Sequence, residues 1–352
     1  MSKPLVFALR ALGLGDFLVG VPALRALRGA FPGHELRLAT TAGVARLASL
    51  ADCIDSIALA RGPEDFAVPG RPIDVAVNLH GRGPQSTCAL RALHPSRLIS
   101  FRGPGRDDFD APRWDDAWPA HERERWCNLL EAFGITANPD DLRLQPPDVE
   151  PLVRDAVVIH PGAAFGSRRW PLERFAAVAR VLSRAGHDVV LTGSRAEIPL
   201  ATDVAARAGL PQGAVVAGTT DIVELAALVS NARLVICGDT GPAHLASAYG
   251  TPSIVLFGPT PPARWGPPRD SHHTVLWPAL AGAEPGGDPW GCVADPRLMA
   301  IDAQDVIDAA QRLLEAQPAR VGAADCVTKH QQSSRARSAP RTRWGRPGTS
   351  RP

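Results

Sequence analysis

Residues 235–260 read VICGDTGPAHLASAYGTPSIVLFGPT. An apolar run empties into Gly238-Asp239-Thr240-Gly241-Pro242, a short segment with one histidine follows, and a second apolar run ends in Gly258-Pro259-Thr260. The pattern predicts strands at Leu234–Cys237 and Ser253–Phe257 joined by a helix over Pro242–Tyr249. Each strand ends in a loop of small residues and turn formers. Such loops bring backbone N–H groups close to a bound anion, and a helix starting there adds its positive end. The stretch reads as part of a parallel α/β sheet with an anion at its strand ends.

The alternation continues on both sides. Strands are expected at Ala156–His160, Asp188–Thr192 and Ala214–Ala217, and helices at Leu172–Arg184, Ala196–Ala208, Ile222–Ser230 and Asp302–Ala316. Within Leu172–Arg184, the apolar residues Phe175, Val178, Ala179 and Leu182 fall on one helical face. Nearer the N-terminus, strands are expected at Leu5–Leu9, Glu35–Ala39, Asp74–Leu79 and Arg97–Phe101, with helices at Phe17–Ala30, Val44–Leu50, Gln85–Leu93 and His121–Phe133. The Pro- and Asp-rich stretch 135–152 reads as a linker. These elements predict two Rossmann-like, doubly wound parallel-sheet domains, 1–145 and 155–318, facing a cleft at the carboxyl ends of their strands. Residues 102–120 form a long loop whose acidic pairs lack His and fixed spacing, so a solvated loop fits better than a metal site. From about 320 to 352 the chain has little to bury and reads as disordered.

Charge bounds the function. The chain of 352 residues carries a net charge of +2, but no acidic residue follows Asp325. Lys329, Arg335, Arg337, Arg341, Arg343, Arg346 and Arg351 place +7 in the tail and leave −5 on residues 1–328. A mildly acidic body does not look like a nucleic-acid binder, whose footprint would be a basic face. The six cysteines form no C-x-x-C pair, which fits a reduced, cytoplasmic compartment. Arg10 and Asp16 interrupt the apolar N-terminus, so neither a signal peptide nor a membrane span is expected. The basic tail with Trp344 is either a solvated extension or a peripheral contact with anionic lipid.

Four loops carry candidate chemistry. In Gly13-Leu14-Gly15-Asp16-Phe17, the third glycine of a dinucleotide fingerprint is missing at Leu18. Asp16 caps the following helix, acts as a catalytic carboxylate, or does both, because a cap at the carboxyl edge of the sheet also faces the cleft. Residues 160–175, HPGAAFGSRRWPLERF, place Arg168 after a small-residue loop, where it is a phosphate ligand or half of a surface pair. Glu197 in TGSRAEIP either complements a helix dipole or accepts hydrogen bonds from a ribose. Asp239, Thr240 and Gly241 open a helix suited to a diphosphate, and His244 in its first turn is structural or faces the same site.

Together, GDFLVGVPALRAL, HPGAAFGSRRWPLERFAAVA and CGDTGPAHLASAYGTPSIVLFGPT resemble glycosyltransferase family 9, the family of the ADP-heptose lipopolysaccharide heptosyltransferases. The resemblance covers most of residues 5–315. It implies a GT-B fold, with acceptor bound mainly by the first domain and nucleotide sugar by the second. It also implies inverting transfer to a cell-envelope glycan or glycolipid, without a metal. The only small-molecule partner it implies is a nucleotide-diphospho sugar, ADP-heptose among the candidates, as co-substrate. By position Asp16 matches the catalytic base, Gly15 and Arg168 the phosphate site, Glu197 the ribose contact, and Asp239, Thr240, Gly241 and His244 the D-T-G-x-x-H motif. Arg168 replaces a lysine, and Ala163 and Ala164 replace hydroxyl residues, which leaves the donor's identity open. The alternatives are a nucleotide-sugar hydrolase or epimerase on the same scaffold, and a binding protein without catalysis.

Overall fold

The computed structural model describes residues 3–103, 111–114, 121–280 and 286–316. Most of the 102–120 loop, the tail beyond 316 and Cys326, with the expectations placed on them, lie outside the described residues.

Two parallel sheets of five strands make up the frame. The first contains β1 (Leu5–Leu9), β2 (Glu35–Thr41), β3 (Ser56–Ala60), β4 (Val75–Asn78) and β5 (Arg97–Ile99), in the order β3-β2-β1-β4-β5. It is wrapped by α1 (Leu14–Ala30), α2 (Ala42–Ala48), α3 (Gln85–Arg91) and α4 (Glu122–Glu131). The second contains β6 (Val157–His160), β7 (Val189–Leu191), β8 (Leu234–Gly238), β9 (Ser253–Leu256) and β10 (His273–Leu276), in the order β10-β9-β8-β6-β7. Its helices are α5 (Leu172–Arg184), α6 (Ile198–Ala208), α7 (Ile222–Ser230), α8 (Gly241–Tyr249), α9 (Pro262–Trp265), α10 (Pro296–Ala300) and α11 (Ala303–Glu315). This is the doubly wound α/β architecture expected from the alternation.

The sequence dictates much of it directly. β1 is the uninterrupted apolar run Leu-Val-Phe-Ala-Leu, buried along its whole length because helices cover both faces of a parallel sheet. Phe175, Val178, Ala179 and Leu182 all turn inward from α5. Residues 135–152 form no helix or strand, yet they are not loose: Leu142 and Leu144 are buried and the Gln145 N–H donates to the Leu50 carbonyl at 2.7 Å. Both sheets belong to one compact unit, Met1–Glu315, and a continuous apolar core runs from Leu24, Leu27 and Trp126 to Val235, Leu245 and Phe257.

Some expectations need correction. Ala214–Ala217 is not a strand. A 3-10 turn over Gln212–Ala214 uses the first residue, and only Val215 reaches the sheet, through an isolated bridge to Leu191. Pro211 and Gly213 leave too short a run for a ladder. The edge strands β3 and β10 and the short helices α9 and α10 were not foreseen. α1 begins at Leu14, three residues earlier than its apolar periodicity suggested.

Topology places the loops that matter. In the first sheet, β1 lies between β2 and β4, so the chain reverses its winding there. In the second, β6 lies between β7 and β8 and creates the same reversal. At such a switch point adjacent loops part and leave a crevice at the strands' carboxyl ends.

Candidate active site at the two switch points

A single cleft of about 870 Å³ takes its walls from the loops after β1, β6, β7 and β8. All eight residues singled out in the sequence line it: Gly15, Asp16, Arg168, Glu197, Asp239, Thr240, Gly241 and His244.

Asp16 comes from the loop after β1. The N-cap of α1 is Gly13, without a side-chain cap hydrogen bond, and Asp16 is the third helical residue. The capping alternative is therefore incorrect. The carboxylate gains from the helix's positive end but remains turned into the cleft. Its backbone is held from below by Arg10, a residue the sequence reading passed over. Arg10 is 1% exposed, donates to the carbonyls of Asp16 and Leu79, and lies 4.8 Å over the Trp126 ring. Burial lowers its pKa, which the nearby carboxylates of Asp16 and Glu122 oppose. Gly20 makes room for it, since a Cβ there would come within 2.7 Å of Arg10 Cδ and Nε.

The loop after β6 separates the arginine pair. The Arg169 Nε donates to the Ala163 carbonyl at 2.9 Å and braces the loop from within. Arg168 ends a 3-10 turn over Gly166–Arg168 and lines the cleft, its guanidinium 5.3 Å over the Phe165 ring. Its buried Nε has no hydrogen-bond partner among the described residues. A buried N–H without an acceptor costs about 1–3 kcal/mol, more on a cation, so it is poised for an anionic ligand.

After β7, Glu197 forms a capping box with Ser194, whose N–H donates to Oε2 at 2.7 Å. Gly162 permits this placement: a Cβ there would lie 2.1 Å from Glu197 Oε1. Burial alone would raise the Glu197 pKa. Hydrogen bonds from Ser194, with His160 and Arg169 nearby, instead bring it below the usual carboxylate range. His160 itself is pushed down by burial, and its Nδ1 lies 3.1 Å from the Thr192 hydroxyl.

After β8, the Asp239 carboxyl is buried and pushed up to about 6 by desolvation. Arg168 and a hydrogen bond from Thr260 oppose that rise, while Asp16 adds to it. Thr240 is the N-cap of α8, but its hydroxyl donates to the Gly238 carbonyl at 3.2 Å and leaves the helix end uncapped by a side chain. Burial drives the His244 pKa down to about 3, with His121 and Arg123 adding smaller downward contributions. Its ring is therefore neutral at physiological pH and can offer one N–H but no charge.

The heads of α1 and α8 meet across the cleft floor in a reciprocal contact. A Cβ on Gly15 would stand 2.8 Å from His244 Cδ2, and a Cβ on Gly241 would stand 2.6 Å from Leu14 Cδ2. Two further contacts flank this seam: Arg46 with Asp221, and His121 Nε2 with the Gly266 carbonyl at 2.9 Å. The His121 Nδ1 accepts from the Arg123 N–H, which fixes its Nε2 as the donor. Sequence reasoning missed His160, Asp221, Trp265 and Trp290 in the cleft wall. Only Asp221 had a legible signal, the Asp-x-x-Glu capping box it forms with Glu224.

The family model described as glycosyltransferase family 9 (heptosyltransferase) matches residues 84–283. No curated protein matches the chain in sequence. Among solved structures, the chain is similar to the Escherichia coli ADP-heptose LPS heptosyltransferase II, with a TM-score of 0.72, 19% identity, and coverage of 90% of this chain and 99% of the other. It is also similar to a glycosyl transferase family 9 protein from Veillonella parvula, with a TM-score of 0.70, 22% identity and coverage of 90% and 98%. The E. coli heptosyltransferase WaaC with ADP gives a TM-score of 0.64, 17% identity and coverage of 88% and 99%. At these identities the structural likeness establishes the fold.

Proposed function

Since this chain belongs to glycosyltransferase family 9 and is a glycosyltransferase, we propose that it transfers a sugar from a nucleotide-diphospho donor, ADP-heptose or a close analogue, to a hydroxyl of a cell-envelope glycan or glycolipid, with inversion and without a metal. The observation that carries this reading is the buried, unpartnered Arg168 Nε in a cleft that also holds Asp16.

In the proposed reaction, Asp16 accepts the proton of the acceptor hydroxyl as its oxygen attacks the anomeric carbon from the face opposite the diphosphate. A carbon–oxygen bond forms to the acceptor while the bond to the β-phosphate oxygen breaks and its electron pair leaves with the nucleotide. Arg168 and the open head of α8 meet the charge that develops there. That division of labour is the basis for leaving a cation out of the step. Glu197 receives the ribose hydroxyls, and neutral His244 donates one hydrogen bond. The acceptor lies on the first sheet's side and the enzyme works in the cytoplasm. No second reading has an observation of its own.

Binding and transfer test it separately. A thermal-shift panel of ADP-, GDP-, UDP- and dTDP-sugars should single out the ADP series. With the donor so found, Asp16→Asn should lower kcat by about 10²–10⁴-fold while donor Kd stays within about twofold. Turnover should survive EDTA. An Asp16→Asn variant with ordinary turnover excludes the base assignment.

A further inference from the structure

Trp290 is the largest apolar side chain left in water among the described residues, 70% exposed, and it stands in the wall of the cleft beside Pro289. A wide indole in water is a poor choice unless something covers it. The turn that displays it is fastened at several points. The Asp288 carboxylate accepts from the Trp290 N–H at 2.9 Å, and the Gly287 N–H donates to the Pro259 carbonyl at 2.8 Å. The Ser167 N–H donates to the Gly291 carbonyl at 2.9 Å, and the Asp295 N–H donates back to the Ser167 carbonyl at 3.1 Å. Gly166 lets the two segments touch, since a Cβ there would lie 1.9 Å from the Cys292 carbonyl oxygen. The indole is thus tied to the 3-10 turn that carries Arg168.

That attachment indicates what covers the ring. Glu197, Thr220, Asp221, Ile222 and Leu225 line the part of the cleft formed after β7 and at the head of α7, which suits ribose and base. Arg168 defines the diphosphate position. Trp290 sits in a turn bonded to the Arg168 turn and to the loop after β9, so it keeps its place relative to the donor. Resting on the glycosyltransferase reading above, we infer that Trp290 is a specificity-determining platform for the donor sugar. The apolar C–H face of the sugar ring, just beyond the β-phosphate, lies against the indole. The ring recognises a pyranose face of the donor, not the nucleotide.

Calorimetric titration of the full chain with ADP and with ADP-heptose tests this. Trp290→Ala should weaken ADP-heptose binding about tenfold and leave ADP within about twofold, while Trp290→Phe recovers most of the loss. Because the side chain is exposed, melting temperature should stay unchanged, which separates a local effect from misfolding. Subtracting the Trp290→Phe emission spectrum from wild type should show the indole shielded from acrylamide by ADP-heptose and not by ADP. Equal losses for the two ligands, or no loss for either, overturn the platform role. A wild-type protein that binds neither ligand overturns the donor reading instead, and the platform with it.

Discussion

Asp239 shows how one side chain couples burial to ligand chemistry. Its carboxyl titrates at 3.8 when free and at about 6 in the folded chain. A raised acid pKa means the fold disfavours the ionised form. Its contribution to stability is complete below about pH 4 and lost as pH rises through 6. Asp239→Asn should therefore raise stability at pH 7.5 by a few kcal/mol, about 1.4 for each unit of raised pKa, with the advantage vanishing near pH 4 in thermal melts. The same charge affects the ligand, because ionised Asp239 competes for Arg168. Relative to Asp239→Asn, which cancels the nucleotide's own titration, wild-type affinity for ADP should fall severalfold between pH 5 and 7.5. Arg168→Ala removes the charge-assisted contact itself and should weaken ADP binding by about 10–100-fold by calorimetry. An unchanged Kd would place the diphosphate elsewhere.

At the scale of elements, the contact between α1 and α8 makes its own prediction. Gly15→Ala inserts a methyl 2.8 Å from His244 and should cost about 1–3 kcal/mol in chemical denaturation. In the double variant with His244→Ala most of that penalty should disappear, because the crowding partner is gone. The same contact shows why the head of α1 was hard to read. Glycine is a poor helix former, so Gly13-Leu14-Gly15 looks like a loop, and only the packing against His244 explains Gly15 inside the first turn. Core strands such as β1 and β8 were legible because burial on both faces demands an unbroken apolar run. The edge strands β3, Ser-Ile-Ala-Leu-Ala, and β10, His-Thr-Val-Leu, are half exposed and have no such signature. The site residues at strand ends were legible because small-residue loops announce close backbone approach. Trp290 was not: its turn is defined by bonds to Ser167 and Pro259, distant in sequence, and nothing local marks it.

The whole molecule unites two sheets through one continuous core, so unfolding should be cooperative. Melting followed by tryptophan fluorescence and by far-ultraviolet dichroism should give one coincident transition. ADP at about 100 times its Kd should stabilise the chain by about 2.7 kcal/mol and move that transition without splitting it. Two transitions, with only the later one shifted, would mean that the sheets melt independently. The reciprocal fit of Gly15 to His244 and Gly241 to Leu14 constrains motion as well as stability. Each half of the protein supplies one notch and one tooth, so lateral slippage would drive Leu14 and His244 out of the spaces the glycines leave for them. The interlock therefore keys the two halves to a single register, and the shared apolar core keeps the heads of α1 and α8 pressed together beneath the cleft that Asp16 and Arg168 line.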